Sequence, residues 1–306
     1  MSTVLVLEDG EVLQNMDYNV LWEGMFSVTR RHGIIMQFIR ENAPTNSVIV
    51  IPRTDGNIKR STPENEMRGT AFHLIQPFID YAKSKNKVFI LGVLGQTLYQ
   101  EPDINYLYLP LDDGFFENGI EHSFPRDKLI PWDERSNNLC WRGGCSGGGG
   151  NESLRVRFVD KLYNYPGAEN IRLSRRWSEN KNIPSHLFAN DNIDRVDYTE
   201  FLKYKIFFIV DGNVIASNHM WGFASGCVPF LISNGICWYQ ELIRPYVHYI
   251  PVNYDLSNLI EQIEYIKNND DVAQKIAENA VEFSRTRFSF EFQKEYLRKK
   301  MHSFSA

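Results

Sequence analysis

The chain has 306 residues, of which 43% are hydrophobic and 13% aromatic, and its formal net charge at pH 7 is -5. This amount of apolar material is enough for a large core or for two domains, and it excludes a wholly disordered chain. The mildly acidic balance argues against a nucleic-acid-binding protein, because the overall field repels phosphates.

The sequence shows no signal for export or for membrane insertion. No stretch reaches the roughly 18 consecutive apolar residues that a transmembrane helix needs. Glu8, Asp9 and Glu11 interrupt the first apolar run, which no basic segment precedes. The four cysteines are too few for a disulfide framework. We therefore expect no transmembrane segment and a reducing, cytoplasmic compartment.

The first third of the chain alternates between strand and helix patterns. Apolar spacing predicts two helices, residues 22–42 and 64–85, and three buried strands, residues 47–52, 87–95 and 104–111. This rhythm indicates a parallel sheet with helices on its faces. The segment 112–135 contains two glycines and two prolines, and we interpret it as a loop that leads into a linker.

A second alternation of strands and helices follows the linker. Its predicted strands are residues 138–142, 169–173, 205–210, 228–233 and 248–252. Its predicted helices are residues 152–163, 197–203, 218–225, 238–244, 256–267, a helix capped by Asp271, and a last helix over about 289–303. Two such series predict two α/β domains, 1–135 and 136–306, with a cleft between them. Open α/β sheets bind ligands beyond the C-terminal ends of their strands.

The segment WRGGCSGGGGNESLRVRF (141–158) is a candidate anion-binding loop. Glycines let backbone N–H groups approach an anion closely, and the start of the following helix adds partial positive charge. Arg155, in the first turn of that helix, can pair with a phosphate. The segment lacks the GK[ST] of a Walker loop. The alternative is a flexible surface loop followed by a solvated arginine.

The segment 211–226 is a second candidate anion site. A buried apolar strand ends at Asp211, and Ser217 suits the N-cap of a helix that starts near Asn218. An anion can bind at that helix start, where His219 can donate to phosphate oxygens. The alternative is an ordinary capped helix whose histidine packs against a tryptophan.

Two adjacent aspartates, Asp112 and Asp113, follow the predicted strand 104–111. A carboxylate at a strand end can act as a general base and take the proton of a hydroxyl group. The alternative is a simple turn, because Asp113–Gly114 is a common turn pair.

Three stretches of the sequence resemble glycosyltransferase family 90: KYKIFFIVDG (203–212), ASNHMWGFASGCVPF (216–230) and a long block, residues 244–283. WRGG (141–144) followed by Arg155 is similar to the family's aromatic-Arg-Gly motif and its downstream arginine. The family includes capsule enzymes, protein O-glucosyltransferases and xylosyltransferases. The resemblance implies a GT-B architecture, with two Rossmann-like domains, a cleft between them and a C-terminal helix that crosses back onto the N-terminal domain.

The resemblance also implies a function. The chain would be an inverting, metal-independent glycosyltransferase that moves xylose or glucose from a UDP-sugar to a hydroxyl of a glycan acceptor, without a cofactor. No Asp-x-Asp sequence, which metal-dependent glycosyltransferases usually carry, occurs in the chain. Arginine, histidine and helix N-termini would then stabilise the charge of the leaving diphosphate.

Residue roles follow from the same resemblance. Arg155 would contact the diphosphate, and the donor loop would comprise Arg142, Gly143, Gly144 and Ser146. The family's Ser-x-Arg phosphate site appears here as Ser217–Asn218–His219, so a histidine replaces an arginine. Asp113 falls where the family's base follows a strand, and Asp112 is the fallback.

Two alternatives stay open at this point. One is a non-catalytic protein of the same fold that binds sugar nucleotides or glycans. The histidine at position 219, where the family has an arginine, keeps this alternative open. The other is a retaining or metal-using transferase.

Overall fold

The computed structural model describes residues 4–14, 26–52, 75–93, 96–97, 101, 103–110, 129–146, 150–175, 182–190, 196–212, 215–216 and 218–305. The chain divides into two compact units. The first comprises Met1–Gly119, Gly235–Gln240 and Arg287–Ala306, and the second Ile120–Asn234 and Glu241–Thr286. Both are mixed α/β, which confirms the predicted class, whereas the GT-B architecture and the domain boundary at 135/136 stay predictions. No helix in the described ranges is long and apolar enough to cross a membrane.

The first unit contains a five-stranded sheet. Its strands are β1 (Val4–Glu8), β2 (Glu11–Gln14), β3 (Ser47–Pro52), β4 (Val88–Val93) and β6 (Asn105–Tyr108), in the order β2-β1-β3-β4-β6. β1 runs antiparallel to β2 and β3, whereas β3, β4 and β6 are parallel. A separate two-stranded sheet pairs β5 (Gln96–Thr97) with β11 (Gly235–Ile236).

In the described part of the first unit the helices are α1 (Phe26–Asn42), α2 (Gln76–Ser84) and α8 (Phe290–Ser303). Ser289 caps α8 by accepting a hydrogen bond from the backbone N–H of Phe292. Leu297 and Met301 of α8 are fully buried in the same apolar core as Leu5 of β1. The last helix therefore completes the core of the first unit.

The second unit contains parallel strands. They are β7 (Cys140–Gly144), β8 (Asn170–Ser174), β9 (Ile206–Val210), β10 (Val228–Ile232) and β12 (Ile250–Pro251). β7 pairs with β8, and β9 pairs with β10, which pairs with β12. β7 packs against β9, and a parallel bridge joins Ser136 to Tyr204. The β7–β8 pair and the sheet of β9, β10 and β12 therefore lie side by side. The C-terminal ends of β7 and β9 are therefore neighbours.

The α-helices in the described part of the second unit are α3 (Leu154–Leu162), α4 (Tyr198–Phe201), α5 (His219–Ala224), α6 (Leu259–Asn268) and α7 (Asp270–Arg287). Phe158 of α3, Phe208 of β9 and Phe230 of β10 form a row of rings, with successive centroids 5.1 and 5.4 Å apart. All five residues of β9 are buried. This burial explains the continuous apolar run of β9, since a parallel strand covered on both faces does not alternate.

Several predicted elements differ from the structure. The predicted helix 238–244 is wrong, because turns occupy this segment. The ring of Trp238 packs against Tyr239, Phe288 and Tyr296 at centroid distances of 5.4–5.6 Å, and this packing outweighs local helix propensity.

Helix boundaries and the N-terminal hairpin also differ. α6 begins at Leu259 instead of 256, since Leu256 has a φ of 63°, which no right-handed helix allows. Asp271 lies inside the first turn of α7 and does not cap it. The β1–β2 hairpin was not predicted. The predicted helix 64–85 can be compared only from residue 75, where α2 follows, because 53–74 lie outside the described residues.

Candidate functional site

The described candidate residues lie in the second unit, where β7 and β9 end. Gly143 and Gly144 are the last residues of β7, Ser146 follows them, and Arg155 occupies the first turn of α3. His219 begins α5. The remaining candidates, Asp112, Asp113 and Ser217, lie outside the described residues.

Arg155 links the ends of the two strands. Its Nε and Nη2 donate to the carbonyl of Val210, at 3.2 and 3.1 Å, and its Nη1 donates to the carbonyl of Gly144 at 3.1 Å and to the Ser146 hydroxyl at 2.5 Å. A guanidinium has five N–H donors, so these bonds use four of them. The three acceptor atoms are neutral, and these hydrogen bonds therefore hold Arg155 in place without neutralising its positive charge.

The surroundings of Arg155 strengthen its electrostatic effect. Burial lowers the pKa of the Arg155 guanidinium from its ordinary value, and the carboxylate of Asp211 partly opposes that shift. The ring of Trp141 lies 5.9 Å from the guanidinium carbon. A cation with little access to water attracts an anion more strongly than a solvated one. This position therefore suits the binding of a phosphate group.

Two glycines allow this close packing. A Cβ at Gly143 would lie 2.5 Å from Cζ2 of the Trp141 ring, which leaves no space for a side chain. A Cβ at Gly212 would overlap the Ser146 hydroxyl and lie 3.2 Å from the guanidinium carbon of Arg155. The backbone after β9 thus approaches Arg155 as closely as only glycine permits.

Asp211, directly after β9, organises a second group of side chains. The residue is only 3% exposed. Its Oδ1 accepts from the backbone N–H of Ala216 at 2.9 Å and lies 2.8 Å from Nε2 of His219. Its Oδ2 accepts a short hydrogen bond from the Ser233 hydroxyl at the end of β10. One buried carboxylate therefore joins three segments of the chain.

His219 occupies an interior position. It is 1% exposed, and its Nε2 is engaged by Asp211. This arrangement corresponds to an Nε2–H that donates to the carboxylate. A contact of His219 with phosphate oxygens stays a prediction.

Arg142 and Asn218 line a small cavity in the second unit. The cavity has a volume of about 60 Å³, and its other lining residues are Cys140, Trp141, Phe201, Phe207, Phe208 and Trp221. This volume accommodates a few water molecules and is too small for a sugar ring. Whether Arg142 and Asn218 touch a donor stays a prediction.

Two cysteines of the second unit, Cys140 and Cys227, have limited reactivity. Burial raises the pKa of the Cys140 thiol to about 11 and also raises that of Cys227. A thiol protonated at neutral pH is a poor nucleophile and a poor metal ligand. All four cysteines are buried, and none forms a disulfide.

The sequence-based reasoning missed the residues that hold Arg155 and His219 in place. It did not assign a role to the Val210 carbonyl, to Gly212 or to the carboxylate of Asp211. A signal was present, because Asp211 directly follows a completely apolar strand, and open α/β sheets bind ligands beyond such strand ends. The partners of that aspartate, Ala216 and Ser233, are not recognisable from the sequence.

Comparison with known proteins identifies a family match over more than half of the chain. The family model for glycosyl transferase family 90 matches residues 121–306. This region contains every described residue of the candidate site.

Individual relatives are similar over shorter stretches. Human protein O-glucosyltransferase 1 is 36% identical over 29% of this chain and 23% of its own length. Protein O-glucosyltransferase 2 of Danio rerio is 36% identical over 31% of this chain and 19% of its own length. Uncharacterized protein 179R of Invertebrate iridescent virus 6 is 28% identical over 56% of this chain and 17% of its own length. The chain thus matches less than a quarter of each of these relatives.

Among solved structures, a glycosyltransferase from Rickettsia africae ESF-5 aligns with 95% of this chain and 83% of its own chain. The TM-score is 0.42 and the sequence identity 13%.

Proposed function

Because this chain belongs to glycosyl transferase family 90, we propose that it transfers xylose or glucose from a UDP-sugar to a hydroxyl of a glycan acceptor. The observation that carries the proposal is the guanidinium of Arg155, held at the ends of β7 and β9 by neutral acceptors alone. A fixed cation whose hydrogen-bond acceptors are neutral, next to glycine backbone, suits a diphosphate.

In the proposed reaction the acceptor hydroxyl loses its proton to the carboxylate of Asp113, which lies outside the described residues. The oxygen then attacks the anomeric carbon on the face opposite the diphosphate. The bond from the anomeric carbon to the phosphate oxygen breaks, and UDP leaves with the bonding electrons. The configuration inverts because attack and departure occur on opposite faces. Arg155 stabilises the charge that develops on the leaving group.

Further details of the proposal concern the metal, the acceptor, the architecture and the location. We propose that protein groups alone stabilise the diphosphate, so that EDTA leaves transfer unchanged. The names of two relatives describe glucose transfer to protein, and the acceptor here can accordingly be a glycoprotein or an oligosaccharide.

The proposed architecture is GT-B, and the proposed compartment is the cytoplasm. NMR of the product anomer tests the inversion.

The first test measures UDP affinity by isothermal titration calorimetry. Arg155→Ala should weaken binding by roughly 10- to 150-fold, because a hydrogen bond to a charged group contributes about 1.5–3 kcal/mol. Arg157→Ala is the matched control. Arg157 lies two residues further along α3, where it bonds to the carbonyls of Glu152 and Tyr254. Equal affinities of Arg155→Ala and wild type would refute the proposed donor site.

The second test separates catalysis from binding. Asp113→Asn should abolish sugar transfer and leave UDP affinity within about twofold of wild type, since the base contacts the acceptor and not the nucleotide. If Asp112→Asn abolishes transfer and Asp113→Asn does not, the base is the fallback residue. Near-normal transfer by both variants would refute the assignment of either aspartate.

One observation favours a second candidate function, a non-catalytic protein that binds sugar nucleotides or glycans. The family's arginine at the second phosphate position is His219 here, and its Nε2 is bonded to a buried carboxylate. A neutral imidazole stabilises a leaving diphosphate less than a guanidinium does. Release of UDP from UDP-xylose or UDP-glucose supports the enzyme, whereas binding without release over hours supports the non-catalytic protein.

A further inference from the structure

We propose that Asp211 is the positioning residue of the diphosphate site and that it acts through Arg155. This inference rests on the function proposed above. Asp211 itself does not contact the donor in this proposal. Its role is to hold the backbone that in turn holds the guanidinium.

In the sequence, Asp211 lies between Val210 and Gly212, and both of these residues lie close to Arg155. The carbonyl of Val210, which accepts two of the four Arg155 hydrogen bonds, belongs to the peptide group between Val210 and Asp211. Gly212, on the other side, lies so close to Arg155 that a Cβ there would come within 3.2 Å of the guanidinium carbon. Rotation of the backbone at Asp211 would therefore move two of the groups against which Arg155 packs.

Hydrogen bonds of its backbone and its side chain hold Asp211 in place. Its backbone N–H donates to the carbonyl of Ile232 at 3.3 Å, and its carboxylate binds Ala216, His219 and Ser233. These partners come from β10, from the turn before α5 and from α5 itself. With the side chain anchored at three points, the peptide groups on either side of Asp211 have little freedom to rotate.

The negative charge of Asp211 is unfavourable at this position by itself. A carboxylate near a diphosphate repels it, and burying a carboxylate is unfavourable unless it is paired and hydrogen-bonded. A residue that only filled space at this position would be better replaced by a neutral one. The geometry explains the carboxylate, because both of its oxygens accept hydrogen bonds that arrange the site.

Two substitutions separate this role from the charge. Asp211→Asn keeps the shape, since its amide oxygen can accept from Ala216 and His219 and its amide N–H can donate to the Ser233 oxygen. Asp211→Ala removes all three contacts. If hydrogen bonding is what matters, the asparagine variant retains most of the UDP affinity and the alanine variant loses it.

The experiment is a double-mutant cycle on the dissociation constant of UDP, measured by calorimetry. Asp211→Ala should weaken binding at least ~10-fold, and Asp211→Asn should restore it to within ~5-fold of wild type. In the Arg155→Ala background, Asp211→Ala should have no further effect, because its influence passes through the missing guanidinium. Additive effects, or wild-type affinity of Asp211→Ala, would overturn the inference.

A control isolates general destabilisation. Gln262 is also buried, and it donates to the Tyr246 hydroxyl in a part of the second unit that contains none of the candidate residues. Gln262→Ala should lower Tm without changing UDP affinity. If Asp211→Ala fails to unfold cooperatively, Ser233→Ala removes one partner of the same carboxylate. Its expected ~2- to 3-fold loss must also vanish without Arg155.

The outcomes also distinguish this inference from the proposed function. Failure of the wild-type protein to bind UDP would refute both. Binding that Arg155→Ala abolishes and Asp211→Ala leaves intact would refute only the role of Asp211.

Discussion

Two charged clusters, one in each unit, differ in how their cations are balanced. In the first unit Lys87 pairs with Asp9 and lies 3.1 Å from Glu8. In the second unit the described acceptors of Arg155 are carbonyls and a hydroxyl. Carboxylates in direct contact therefore balance the charge of Lys87, whereas the carboxylate of Asp211 acts on Arg155 without a direct hydrogen bond.

The pKa shifts point in the same direction as the geometry. Hydrogen bonding to Asp9 raises the pKa of Lys87, and hydrogen bonding to Lys87 lowers the pKa values of Asp9 and Glu8. Burial instead lowers the pKa of Arg155. A cation whose pKa falls would be stabilised by an additional anion, whereas one whose pKa rises already has its partner. In this chain the candidate ligand site thus differs from the Lys87 cluster in its neutral acceptors and not in the presence of a cation.

The largest expected effect comes from breaking the close approach at Arg155. Gly212→Val would place a side chain where Ser146 and Arg155 now lie, so we expect UDP affinity to fall by at least ~100-fold, which corresponds to about 2.7 kcal/mol. Calorimetry measures this loss. Gly92→Ala is the control in the first unit, because its Cβ would lie 2.9 Å from Ile51. It should reduce stability and leave UDP affinity unchanged.

An intermediate effect is expected when one neutral acceptor is removed. Ser146→Ala deletes the hydroxyl that accepts from Nη1 of Arg155 and leaves the bonds to Val210 and Gly144, so UDP affinity should fall by roughly 3- to 10-fold, which corresponds to about 1 kcal/mol. Ser84→Ala in the first unit, where the hydroxyl bonds to the Tyr81 carbonyl, is the control. A larger loss for Ser84→Ala than for Ser146→Ala would reverse the comparison.

The smallest effect on binding is expected from the compensated cluster. Lys87→Met should leave UDP affinity unchanged and lower Tm slightly, since exposed ion pairs contribute little. The pKa values of Asp9 and Glu8 are depressed below 3.8 and 4.5, so their stabilisation is present above those values and is lost as pH falls through the folded-state values. Thermal unfolding between pH 5 and pH 2 should therefore show a shallower loss for Lys87→Met than for wild type.

Local sequence patterns predicted much of the fold and only part of the site. The apolar run of β9 and the amphipathic pattern of the last helix depend on neighbouring residues, and both strand and helix lie where the patterns indicate. The strand predicted over 138–142 and the helix predicted over 152–163 correspond to β7 and α3. Such features need no knowledge of distant segments.

Features that depend on distant segments were missed. The turn at Trp238 forms because Phe288 and Tyr296, about 50 residues further along the chain, pack against the indole ring. Asp211 gains its role from Ser233, and the Val210 carbonyl gains its role from Arg155. Local periodicity contains no information about these partners, and the role of a buried carboxylate can be recognised only from its contacts.

The placement of α8 has a consequence for synthesis of the chain. Leu297 and Met301 are 0% exposed in the core that they share with Leu5. On the ribosome, the strand that contains Leu5 therefore emerges long before α8. Until translation passes residue 301, the core around Leu5 lacks the side chains of Leu297 and Met301. Apolar surface that is exposed during synthesis in this way favours the binding of chaperones.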